Sequence, residues 1–271
     1  SHFLEHLVFK GAGDMAAREI VERIEAEGGT INASTGYERT SFEVRGMDGS
    51  LALAMQVVSD LLFRPTLDPA EIEREKDVVA QEIAEAFDTP DDHVFEMAQS
   101  RAFSGQPLGR PILGSVESLR PAQAAAVADW RACLYSPDRM VVVVSGAVRE
   151  AELLSLAETW FGGAQAAAAE RPTPSRFEGG TERLSRRIEQ ANIVFQLPAP
   201  SALSPDFPAA RLLSEILGGG MASRLFQSAR EERGLAYAID AYHEPYADAG
   251  VLGIYAGSAG ERADELAEVC A

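Results

Sequence analysis

Residues 164–180, AQAAAAERPTPSRFEGG, carry no hydrophobic period and are rich in alanine, proline and glycine. A stretch without regularly spaced apolar residues has no face to bury, so it reads as a linker. It divides the 271-residue chain into 1–163 and 181–271. Each part must then bury its own apolar faces, which bounds what the chain can fold into.

Before the linker, AAREIVERIEAEGG (16–29) places Ile20 and Ile24 at helical spacing and stops at Gly28–Gly29. TINASTGYERTSFEVRG (30–46) reads as two strands with a turn near Gly36–Tyr37, and SLALAMQVVSDLLF (50–63) as an amphipathic helix. The segment 68–88, DPAEIEREKDVVAQEIAEAFD, offers Asp68 as N-cap, Pro69 at the first helical position and Glu71 at the third. Val78, Val79 and Ile83 are its expected apolar side. Helices follow at PDDHVFEMAQSRAF, at 121–134 and at 149–163. RMVVVVSGAV (139–148) reads as a buried strand, because continuous valines suit a strand covered on both faces. After the linker come a strand at 192–200, helices at 207–219 and 223–234, and the strands AYAIDAYHE and GVLGIYAGS. This order loosely echoes the order before the linker. The expected fold class is therefore α+β, with tandem similar units, each an antiparallel or mixed sheet flanked by helices. The helical pattern begins at His2 with no cap or lead-in strand, and ERADELAEVCA stops in mid-pattern, so the sequence reads as a fragment.

Composition excludes some functions. The net charge of −18 repels phosphates and weighs against nucleic acid as a partner, while favouring basic peptides. No stretch approaches the roughly 18–20 apolar residues of a membrane span. Cys133 and Cys270 are too few for a disulfide framework or a cysteine zinc site.

The chain has four histidines, and two of them stand in SHFLEHLVFKG. On a helix, residues i, i+3 and i+4 share a face, so His2, Glu5 and His6 project together. Two imidazoles on adjacent turns can hold one Zn²⁺, and a catalytic site adds a third protein ligand and an open position for water. The carboxylate between them can take a proton from that water. H-x-x-E-H is a known peptidase motif. On the acid-rich helix at 68–88, Glu75 and Glu82 are two turns apart on one face, which Glu85 shares.

Joined, these motifs resemble the pitrilysin/insulinase family of zinc metallopeptidases, in particular the catalytic subunit of mitochondrial processing peptidase and its bacterial relatives. In that family a ligand glutamate follows the second histidine by seventy-six residues, and here that position is Glu82. HFLEHLVFKG, GGTINASTGYERTSF, PLGRPILG and LGGGMASRLFQSAREERGLAYAI all read like family blocks. The resemblance implies one Zn²⁺ per site on His2, His6 and Glu82, Glu5 as general base, and Glu75 supporting the site from behind the ligands. It implies that GGTINAST is an edge strand to which substrate adds, with Asn32 and Ala33 beside the scissile bond. It implies that Arg230 and Tyr237 hold the substrate carbonyl and the oxyanion. It carries over a metalloendopeptidase activity, a homodimer or a heterodimer with a family partner, and a bacterial cytoplasmic location. His93 and His243 match no ligand position and read as structural. A non-catalytic partner subunit of the same family is the alternative, and such members typically lose part of the motif.

Overall fold

The computed structural model describes residues 1–165 and 173–271. In chain order its regular elements are α1 His2–Val8, β1 Gly11–Ala12, β2 Met15–Ala16, α2 Ala17–Ala26, β3 Thr30–Thr35, β4 Thr40–Arg45, α3 Leu51–Phe63, α4 Pro69–Asp88, α5 Pro90–Ala102, α6 Val116–Leu119, α7 Ala124–Leu134, α8 Glu150–Phe161, β5 Gln190–Pro198, α9 Phe207–Gly218, β6 Ala238–Pro245, β7 Gly250–Ala259 and α10 Ala263–Cys270. The fold is α+β, and every strand pairing among the described residues is antiparallel. Two compact units emerge, one from Ser1–Ile83 with Ile112–Arg171, the other from Ala84–Pro111 with Pro172–Ala271. Of the expected linker 164–180, residues 166–172 lie outside the described residues, and 173–180 form no helix or strand.

In the first unit a single apolar cluster gathers Leu4, Leu7 and Val8 of α1, Ile20 and Ile24 of α2, Val57 and Leu61 of α3, Ile72 of α4 and Val127 of α7. The two-stranded sheet β3–β4 lies against it through Ile31, Phe42 and Val44. Its register pairs Ile31 with Val44, Ala33 with Phe42 and Thr35 with Thr40. Burial alternates along β3, so Ile31, Ala33 and Thr35 share the inner face and Thr30, Asn32 and Ser34 face out. The helix α2 ends as its glycines predict, with Gly28 at φ +74.

The start of α4 follows its sequence. Asp68 Oδ1 accepts the Ala70 N–H at 2.7 Å, and the Asp68 carbonyl accepts the first helical bond, from Ile72 at 2.9 Å. Its buried face is Ile72, Glu75 and Val79, spaced i, i+3, i+7. Val78 was expected inside with Val79 but lies on the outer side, 40% exposed. Glu75 lies on the inward side, where His6 and Lys10 meet its carboxylate.

Two further expectations are corrected. The valine run 139–148 is not a buried strand. Pro137–Arg139 forms one 3-10 turn, residues 140–148 join no ladder, and Val141 and Val143 are 87% and 81% exposed. Apolar side chains favour burial, but a strand also needs a neighbour for its backbone, and none lies beside this run among the described residues. The segment 223–234 is helical, but Phe226–Glu231 winds as a π-helix.

In the second unit β7 is the middle strand of β5-β7-β6. Gly218 at the end of α9 comes so close to β6 that a Cβ there would stand 2.1 Å from the Ala241 nitrogen. Phe95 of α5 meets Tyr242 and Tyr255 at ring-centroid distances of 5.7 and 5.2 Å. Leu225, Ala229, Leu235, Ile239, Ile254 and Leu266 form the core. His243 is buried there with Nε2 2.8 Å from the Pro200 carbonyl, and His93 stands 3.9 Å from Glu96. Cys133 and Cys270 are free thiols, and burial pushes the Cys270 thiol up to about 11.

Asp68→Ala removes the cap of the helix that carries Glu75 and Glu82. It should cost about 1 kcal/mol of stability, read by urea denaturation as a lower midpoint with an unchanged slope.

Candidate metal centre

Two helices supply the cluster. On α1 the apolar residues Leu4, Leu7 and Val8 point into the core, which turns His2 and His6 to the opposite side on adjacent turns. Their rings meet edge to face, with centroids 4.6 Å apart. On α4, Val79 and Ile72 bury one side and bring Glu75 and Glu82 toward α1. Glu82 Oε2 lies 3.4 Å from His6 Nε2 and 3.8 Å from His2 Nε2. One ligand atom from each of His2, His6 and Glu82 lies within 4.8 Å of the others, the one such group among the described residues.

The donor set fits zinc. Two imidazole nitrogens and a carboxylate oxygen are ordinary zinc ligands. Ligand atoms about 2.0–2.1 Å from a tetrahedral ion stand roughly 3.3 Å apart, near the separations of Glu82 from both histidines. His6 Nδ1 is 3.1 Å from Glu75 Oε2, so the side of the ring away from Glu82 is engaged by a carboxylate. In the tautomer with the proton on Nδ1 that contact is a hydrogen bond to Glu75, and Nε2, on the Glu82 side, is the nitrogen a metal ion would use. The other Glu75 oxygen takes Lys10 Nζ at 2.7 Å.

Glu5 faces a different neighbour. Thr35 Oγ1 donates to Glu5 Oε2, and Thr35 lies 3.1 Å from the Thr40 hydroxyl across the β3–β4 ladder. Tyr135 is close by. Burial pushes its phenol above the ordinary range, the Thr40 hydroxyl works against that, and the negative Glu5 adds to it. Lys10, Thr35, Thr40 and Tyr135 were not singled out from sequence. A signal existed for Thr35, a polar residue on the face of β3 that Ile31 and Ala33 fill.

The remaining expected site residues lie elsewhere. Asn32 is exposed and Ala33 half-buried, paired with Glu43 and Phe42 of β4. The other edge of β3 has no ladder partner among the described residues. Arg230 and Tyr237 belong to the second unit, where the Arg230 guanidinium stands 4.7 Å over the Phe226 ring and Tyr237 is 65% exposed.

The sequence profile described as insulinase (peptidase family M16) matches residues 1–116, and the one described as peptidase M16 inactive domain matches 121–271. The chain belongs to peptidase family M16. His2, Glu5, His6 and Glu82 all fall within the first match. An uncharacterized zinc protease of Bacillus subtilis (strain 168), YmxG, is 35% identical over 274 residues, covering 99% of this chain and 66% of the relative. One from Rickettsia bellii is 34% identical over 268 residues, covering 98% and 65%. The chain thus spans just under two thirds of the length of these relatives. Among solved structures, a protease from Helicobacter pylori superposes with a TM-score of 0.89 at 19% identity, covering 99% of this chain and 68% of that one. A peptidase M16 inactive domain from Pseudomonas fluorescens gives 0.89 at 18%, covering 99% and 67%. At such identities the likeness establishes the fold.

Burial first, and then neighbouring His6, hold the His2 imidazole below its usual 6.5, against the pull of Glu82 and Glu5. As pH falls through 6.5 the unfolded chain takes up this proton before the native state does, so acid costs stability. Well above 6.5 neither state is protonated there and the effect vanishes. Metal-free wild type should therefore lose more stability between about pH 7.5 and about pH 5.5 than His2→Gln, by urea denaturation at both values. Equal losses would refute this account.

Proposed function

We propose that the protein is a zinc-dependent metalloendopeptidase acting on peptides or unfolded segments, of the processing-peptidase kind. The observation that carries this reading is the convergence of His2, His6 and Glu82 from two helices, with Glu5 on the same turn as His6. The names of the relatives, zinc proteases, support it.

A zinc ion held by His2, His6 and Glu82 would supply a Lewis acid for the scissile carbonyl and make water acidic near neutral pH. Glu75 keeps the His6 ring turned toward the cluster. Glu5 takes a proton from the attacking water as the new C–O bond forms. It returns that proton to the leaving nitrogen as the C–N bond breaks. Thr35 occupies Oε2 of Glu5, which leaves Oε1 for this exchange. The open edge of β3 suits an extended peptide, whose backbone would continue the ladder beside Asn32 and Ala33. From the family resemblance, Arg230 and Tyr237 would hold the substrate carbonyl and the oxyanion. The charge of −18 supports a preference for basic peptides. A dimer, with a second copy or a family partner, and a place in the bacterial cytoplasm complete the reading, on the precedent of the resemblance.

A second reading rests on the match of 121–271 to an inactive-domain profile, under which the chain would serve as a non-catalytic partner. A quenched arginine-containing peptide separates the two. Wild type should bind about one zinc and cleave. Glu5→Gln should keep its zinc while its turnover falls by at least about a hundredfold. A wild type that binds zinc yet cleaves nothing across a broad peptide library favours the partner subunit.

A further inference from the structure

The sequence motif ends at His6, but the side chains continue to Lys10. Phe9 and Lys10 close the last turn of α1, with the Lys10 N–H bonded to the Leu7 carbonyl at 3.1 Å. That turn carries the ammonium under the cluster, 2.7 Å from Glu75 Oε1. The Glu75 side chain is only 5% exposed, so water cannot hold its charge. Its two oxygens are divided, one to Lys10 and the other to His6 Nδ1 at 3.1 Å.

We infer that Lys10 is a positioning residue for the metal centre, acting on His6 through Glu75. This rests on the metal-binding part of the proposed function. A carboxylate with one partner turns about its terminal bond, a broad and soft torsion. Held at both oxygens by groups on different sides, it has one orientation. The His6 ring that it holds then points Nε2 toward Glu82 before any ion arrives. An ion entering such a site orders little and keeps more of its binding free energy. Among the described residues the ion pair of Lys10 Nζ is with Glu75, so its contribution passes along this chain of contacts. The other lysine, Lys76, is taken up by Glu73 at 2.7 Å and the Arg120 carbonyl at 3.1 Å. It serves as a control of equal charge.

The test is the zinc dissociation constant of the intact protein, measured by competition with a chromophoric chelator at one fixed pH. Lys10→Met should weaken zinc binding about tenfold, and Lys76→Met should leave it unchanged. A lysine that merely props up the fold would also weaken binding, so the same change is made in Glu75→Gln. If Lys10 acts through Glu75, Lys10→Met has no further effect in that background. Circular dichroism of the metal-free proteins reports folding, and Lys10→Gln replaces Lys10→Met if the latter does not fold. An unchanged affinity in Lys10→Met overturns the inference. So does a tenfold loss that persists in Glu75→Gln. A wild type that binds no zinc overturns the metal reading itself, and is told apart because it appears before any variant is made.

Discussion

A buried carboxylate must be partnered, and in the first unit Arg64 meets that requirement for Asp60, while for Glu75 it shapes the candidate site. Glu75 lies on the same side of α4 as Ile72 and Val79, the side that faces the apolar cluster. Left alone there its charge would cost several kcal/mol. His6 and Lys10, both from the first eleven residues, satisfy it. The register of α4 against α1 is thereby fixed by a polar contact set into an apolar surface. Glu82, two turns further on, reaches both histidines because Glu75 has already set that register.

Much of this was legible in the sequence, for reasons that differ between elements. Asp68 and Pro69 announce the start of α4 because capping is local chemistry, and the chain obeys it. The two strands around Gly36 and the helix ending at Gly28 are equally local. The valine run at 139–148 shows the limit. Its composition states a preference for burial but says nothing about where a partner strand stands. Val78 and Val79 make the same point on a smaller scale. The buried face of α4 runs through Ile72, Glu75 and Val79, and Val78 falls just outside it.

The candidate site was legible where spacing carries it and hidden where topology does. His2, Glu5 and His6 are read from helical period alone, and Glu82 from a family spacing. Thr35 reaches Glu5, with Thr40 behind it, only because the hairpin folds back over α1, which no local pattern states. Tyr135 arrives from a still more distant point in the chain. Lys10 could have been noticed, since this chain has two lysines and one of them stands four residues after the second histidine.

The cluster draws its members from positions 2 and 6 on one side and position 82 on the other. An ion gripped by both would act as a clasp across some seventy-six residues of chain. Unfolding scatters those positions and lets the ion go, so its binding would add directly to the stability of the unit, by about 4 kcal/mol at a thousandfold excess over the dissociation constant. Metal supply would then govern how long the molecule survives. In a zinc-starved cell such a protein would open more often and meet proteases as a substrate.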